Sequence, residues 1–108
     1  MNKQVACEVA VFGGGVSGVA AAVAAARQGA RVLLIEREDF LGGTAVSGLG
    51  LLGFQDRKGN PIIGGIAQEI VDRLYELHGS LGHNPCPILN SLTPINAALM
   101  RLLFFHAM

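Results

Sequence analysis

Three glycines at fixed spacing constrain this chain more than any other feature. Gly13, Gly15 and Gly18 form a G-x-G-x-x-G directly after the apolar run Val9-Ala10-Val11-Phe12. A helical pattern follows, then a second apolar run from Arg31 to Ile35, with Glu36 at its end. Strand, glycine turn, helix, strand and acid, in that order, form the context in which these glycines signify dinucleotide binding.

Each residue type has a physical task. Val9 to Phe12 read as a buried parallel strand, apolar on both faces. Gly13 turns the chain out of that strand. Gly15 has no Cβ to keep backbone away from a pyrophosphate, and Gly18 lets the helix pack closely on the strand. A helix starting near Val16 aims free N–H groups and its positive dipole end at the phosphates. Ala22 and Gly29 continue the small-residue spacing that close helix–strand packing wants. Glu36, at the carboxyl end of the second strand, can accept hydrogen bonds from both hydroxyls of a ribose. Residues 8–36 are thus expected to form a β-α-β unit with parallel strands and a right-handed crossover. Its expected core is Val9, Val11, Val19, Val23, Leu33 and Ile35.

The same stretch has a competing reading. Val9 to Ala26 is uncharged over a length that suits a membrane span, and Lys3 with Ala24-Ala25-Ala26 mimics an export signal. Glu8 at the edge, the cluster of glycines at 13–18 and the spacing to Glu36 all argue against both. No membrane span is therefore expected. The chain has two cysteines and no export signal, which suits a reducing, cytoplasmic setting. Eight basic and eight acidic residues cancel, and no basic run marks a nucleic-acid surface. A 51% hydrophobic, 15% charged composition suits a buried α/β core. His78, His83 and Cys86 fit no established zinc spacing, so no metal site is expected.

Nicotinamide and flavin proteins share the glycines and the acid. The run Glu36-Arg37-Glu38-Asp39-Phe40-Leu41-Gly42-Gly43-Thr44 favours the flavin. A glutamate followed six residues later by Gly-Gly, after such a turn, resembles the FAD-binding signature of the glutathione-reductase-like flavoprotein superfamily. The wider run to Ala45 is most similar to FAD-dependent oxidoreductases related to the fumarate reductase and succinate dehydrogenase flavoproteins. Ile63-Gly64-Gly65-Ile66-Ala67-Gln68-Glu69-Ile70 is similar to the same group. The resemblance covers most of residues 5–78.

That resemblance implies a set of cofactor-binding residues. Gly13, Gly14, Gly15, Val16, Ser17 and Gly18 would surround the pyrophosphate. Glu36 would hold the adenosine ribose, and Arg37 would lie beside the adenine end. Gly42, Gly43 and Thr44 would line the path towards the flavin. The implied activity is transfer of a hydride or electrons between FAD and a small-molecule substrate, which the sequence leaves unidentified along with the catalytic residues. Relatives of the succinate dehydrogenase type attach FAD through a histidine just after this loop. Residues 42–50 contain none, so FAD is expected to be non-covalent. Disulfide reductases carry a cysteine pair soon after Gly-Gly-Thr, whereas Cys7 and Cys86 lie far apart and neither belongs to a C-x-x-C. The alternatives are a nicotinamide-binding domain of a dehydrogenase and a truncated, non-enzymatic fragment. A resemblance of Asn60 to Ile66 to a motif of tRNA-modifying flavoproteins sits too far from Gly42-Gly43 and lacks a basic surface.

Further along, Thr44 to Leu52 reads as a short helix near the cofactor and Gln55 to Pro61 as a polar turn. Ile62 to His78 reads as an amphipathic helix with a stripe of Ile66, Ile70, Leu74 and Leu77, capped by Gly79. Thr93-Pro94 reads as the start of a last helix running through Leu103. The chain stops at Met108 after Leu102-Leu103-Phe104-Phe105. The expectation is α/β: residues 1–108 as the N-terminal part of a Rossmann-like FAD-binding domain. The remainder of that domain and the substrate domain would be absent. Alone, such a chain is expected to be inactive and to self-associate through its apolar end.

Overall fold

A computed structural model describes residues 3–48, 50–83 and 92–93. It begins with the expected unit. Strand β1 spans Val9–Phe12, helix α1 spans Val16–Arg27 and strand β2 spans Val32–Ile35. The strands are parallel, pairing Val9 with Val32 and Phe12 with Ile35. Residues 9–26 are therefore not one continuous helix. Six alanines in α1 supply the strongest intrinsic helix propensity available. Ala22 is buried.

The helix ends in a Schellman motif. Gly29 takes a left-handed φ of 91° while its N–H donates to Ala26 O and the Ala30 N–H donates to Ala25 O. Gly29 is thus a cap and not a packing glycine, because none of the described residues lies within 4 Å of where its Cβ would stand.

After β2 come a 3-10 helix at Gly43–Val46, a two-residue strand β3 at Leu51–Leu52, helix α2 at Gly65–Glu76 and a two-residue strand β4 at Leu92–Thr93. Strands β3 and β4 pair antiparallel. The expected helix over 44–52 is therefore a single 3-10 turn followed by a strand. Gln55 bridges Pro61 across a tight turn that the Asp56 carboxylate holds by accepting the N–H groups of Lys58 and Asn60. Thr93 lies in β4, and the helix expected beyond it falls outside the described residues.

The expected core needs correction. Val19 is buried, and Val9, Val11, Val23 and Leu33 are half-buried, but Ile35 is exposed. The register explains the difference. Val11 lies opposite Leu34, so Leu34 shares the α1 face, while Leu33 and Ile35 share the other face with Ala10 and Phe12. That second face is bare at Phe12, which is 79% exposed. The core instead gathers Val19, Val46 and Leu74, with Val23, Leu34, Phe40, Leu41, Leu51 and Ile70 packed around them. Helix α1 thus covers one face of the sheet, and the 3-10 turn and α2 join it in one core that Leu34 of β2 packs against.

Helix α2 starts three residues later than expected and ends by an unexpected device. Its buried positions are Val71 and Leu74, whereas Leu77, past the last helical turn, is 46% exposed. Gly79 is not the left-handed residue. The His78 N–H donates to Tyr75 O, the Gly79 N–H donates to Leu74 O, and His78 itself takes φ 58°. This is again a Schellman motif, with a histidine where glycine is usual. The left-handed region costs a side-chain-bearing residue roughly 1–2 kcal/mol, and the extra unfolded-state freedom of glycine offsets part of that gain. His78→Gly should therefore stabilise the fold by about 0.5–1 kcal/mol, read as a higher melting temperature. An unchanged or lower value would show that the His78 side chain holds the turn in some other way.

A surface network ties α2 to α1. The Arg27 guanidinium donates to both Glu69 oxygens at 2.8 Å, and Arg73 Nη2 lies 2.7 Å from Glu69 Oε1. Hydrogen bonds from Arg27, with the charges of Arg27 and Arg73, pull the Glu69 carboxyl from its usual 4.5 to about 2. A carboxyl whose pKa falls on folding stabilises the fold above its unfolded value, and the contribution fades as pH drops through the folded value. Glu69→Gln should therefore flatten the loss of stability between about pH 4.5 and pH 2. Parallel acid-unfolding curves for variant and wild type would remove the network from the account of stability.

Candidate functional site

The glycine turn has the geometry its residues dictate. Gly13 leaves β1 at φ 101°, a conformation closed to most side-chain-bearing residues, and donates its N–H to Ile35 O at 2.7 Å. Gly15 is the extended N-cap of α1, and its carbonyl accepts the Val19 N–H at 2.9 Å. Among the described residues no side chain caps this helix start, and its first turn carries no acidic residue. The free N–H groups and the positive dipole end are therefore left to an external anion. Among the described residues nothing lies within 4 Å of the point where a Gly15 Cβ would stand. Val16 and Ser17 are exposed beside it. Gly18 sits where a Cβ would collide with the Gly13 carbonyl oxygen, so helix and turn approach as closely as backbone allows.

The second glycine segment folds onto the first. Gly42 and Gly43 have φ of 101° and 51°. The Gly42 N–H donates to Gly14 O at 2.8 Å, and a Cβ on Gly43 would lie 3.2 Å from Gly15 Cα. Positive φ and close approach together require this glycine pair. Thr44 is exposed in the 3-10 turn, and its carbonyl accepts the Ser47 hydroxyl at 2.6 Å.

Glu36 stands between the two segments. Its Oε2 accepts the Gly14 N–H at 2.6 Å, and its Oε1 accepts the N–H groups of Arg37 at 2.7 Å and Glu38 at 3.1 Å. The N–H groups of Glu38 and Gly14 are the main reasons why its carboxyl is held below the usual carboxylate value. Arg37 extends into solvent, with Nε 3.1 Å from Glu38 Oε1. The sequence places Gly14 among the residues around the pyrophosphate and assigns it no packing role. In the fold it is buried, and a Cβ there would strike the Leu41 side chain and come within 3.0 Å of Glu36 Oε2.

The histidine region forms a separate structure. His83 stacks on Phe54 with ring centroids 4.8 Å apart, and its Nε2 lies 2.9 Å from Gln68 Oε1. Gln68 in turn donates to Asp72 Oδ1 at 2.8 Å. Among the described residues no group of three His, Cys, Asp or Glu side chains converges as a metal site. Cys86 falls outside those residues. No helix among them is long and apolar enough to cross a membrane.

A parallel β-α-β unit with a glycine turn after β1 and an acid at the end of β2 is a Rossmann-like arrangement of the class that binds dinucleotides. The model of the FAD-dependent oxidoreductase family matches residues 8–107, and the chain belongs to that family. It is similar to an enzyme named 4-oxocyclohex-2-ene-1-carboxylate 5-dehydrogenase, from Sinomonas cyclohexanicum, at 47% identity over 49 residues. That stretch is 45% of this chain and 8% of that enzyme. No solved structure gives a significant match.

Proposed function

We propose that residues 13–18 and 36–44 form the pyrophosphate and adenosine-ribose portion of a non-covalent FAD site in a flavin-dependent oxidoreductase. The contact between the two glycine segments, with Glu36 bonded to Gly14 at their junction, carries this reading. An uncapped helix start and open space above Gly15 fit a pyrophosphate. Glu36 accepts a ribose hydroxyl, Arg37 flanks the adenine end, and Gly42, Gly43 and Thr44 lead towards the flavin. When bound, FAD supplies hydride or electron transfer, while the chain binds and orients it. The lack of a histidine in residues 42–50 supports non-covalent binding.

The reaction is oxidation or reduction of a small molecule, the class that the name of the Sinomonas enzyme states for that protein. Because the matched stretch is 8% of that enzyme, these residues are proposed as the N-terminal part of a longer polypeptide that carries the substrate site. The free thiol of Cys7 fits a reducing, cytoplasmic setting.

Titration of the full-length apoprotein with FAD, and separately with NAD, tests the proposal. Saturable uptake of one FAD per chain with a shifted visible flavin spectrum is expected, together with no saturable response to NAD. Saturation by NAD alone would assign the site to a nicotinamide dehydrogenase instead.

A further inference from the structure

Glu36 bonds to more than its place at the end of a strand requires. One oxygen reaches across 22 residues of sequence to the Gly14 N–H, and the other gathers the N–H groups of Arg37 and Glu38. Gly14 is also held from its other side, because its carbonyl accepts the Gly42 N–H. The residue is buried, and the Leu41 side chain packs against it. A buried backbone N–H must find a partner, and here the partner is a charged carboxylate. Hydrogen bonds to an ionised acceptor are roughly twice as strong as neutral ones. The conformation of the glycine turn therefore depends on an acid that the chain supplies from the next strand.

We infer that Glu36 is a positioning residue for the glycine turn, holding Gly14 in its binding geometry whether or not a ribose is present. The inference rests on the FAD reading given above for what the turn binds. A carboxylate offers about four lone-pair sites. The three backbone donors use one on Oε2 and both on Oε1. One site on Oε2 is left for a ribose hydroxyl, so the acid cannot take both hydroxyls while it holds the turn. Ribose recognition and turn positioning are then two separable tasks of one side chain.

A cross of protein variant against ligand separates the tasks. Full-length wild type, Glu36→Gln and Glu36→Ala are titrated with FAD and with an FAD analogue lacking the 2′ and 3′ hydroxyls of its adenosine ribose. If Glu36 acts only through the ribose, all three proteins bind the analogue equally. Positioning predicts instead that Glu36→Ala loses about ten-fold or more towards the analogue as well, since a buried donor is left unpaired. Glu36→Gln, whose amide oxygen can still accept from Gly14 while its NH2 faces the other donors, should fall between. Amide hydrogen exchange at Gly14 in the apoproteins gives a readout independent of any ligand. Slow exchange in the wild type and fast exchange in Glu36→Ala are expected, with circular dichroism showing that both remain folded. Equal affinities for the analogue, or an unprotected Gly14 amide in the wild type, would overturn the inference. Should the wild type bind neither FAD nor the analogue, the FAD reading fails, and Gly14 exchange alone then decides whether Glu36 sets the turn.

Discussion

Gly18→Ala should destabilise the protein by about 2 kcal/mol or more and abolish saturable FAD uptake. On helix propensity alone the opposite is expected, because glycine inside a helix costs roughly 1 kcal/mol relative to alanine. Packing decides the sign. The added methyl would collide with the Gly13 carbonyl oxygen and stand 2.9 Å from the Gly13 carbonyl carbon, with Val11 Cγ1 at 3.5 Å behind it. The obstacle is backbone, so no rotamer change can relieve it. The turn itself must move, and overpacking of this kind typically costs roughly 1–3 kcal/mol, occasionally more. Thermal unfolding of the full-length variant, with flavin absorbance recorded in parallel, checks both halves. A melting temperature above that of wild type would show that helix and turn stand further apart than these distances.

Leu74→Ala should cost about 2–5 kcal/mol, the range for truncating a fully buried leucine. Leu74 is 0% exposed and joins α2 to Val19 of α1 and Val46 of the 3-10 turn. Its loss opens a cavity at the junction that holds the second glycine segment against the first. Leu77→Ala is the control. Leu77 is nearly half exposed beyond the helix end, and its truncation should change stability by no more than about 0.5 kcal/mol. Denaturant unfolding of the two variants compares them directly. Equal effects would mean that the apolar stripe of the sequence, with Leu74 and Leu77 alike, describes the core better than the packing does.

Much of the site is legible in the amino-acid sequence. Local pattern is sufficient for β1, α1 and β2, since two apolar runs around an alanine-rich helix leave few alternatives. The positive φ of Gly13, Gly42 and Gly43 follows the glycine spacing. Other features are not local. The second strand reads as four consecutive apolar residues, and such a run carries no period to say which pair faces α1. The pairing of Val11 with Leu34 settles it and places Ile35 on the exposed face. In α2 the apolar stripe continues to Leu77, but the helix stops at Glu76, and His78 accepts the strained position that the pattern assigns to Gly79. No sequence signal marks a histidine for a left-handed φ; only the path of the chain into the following loop does.

The glycine turn, the helix start that follows it, the acid after β2 and the second glycine pair can be read from the order of residues alone. Each of these rests on the steric limits of single residues and on periodicities within an element. Long-range packing sets which sheet face is covered, buries Gly14 beneath Leu41, and brings Glu36 back to the Gly14 N–H while Gly42 bonds the Gly14 carbonyl. Those contacts join residues 22 and 28 positions apart in the chain. Their existence depends on strand register and on the packing of α1, Val46 and Leu74 into one core, which no local preference specifies.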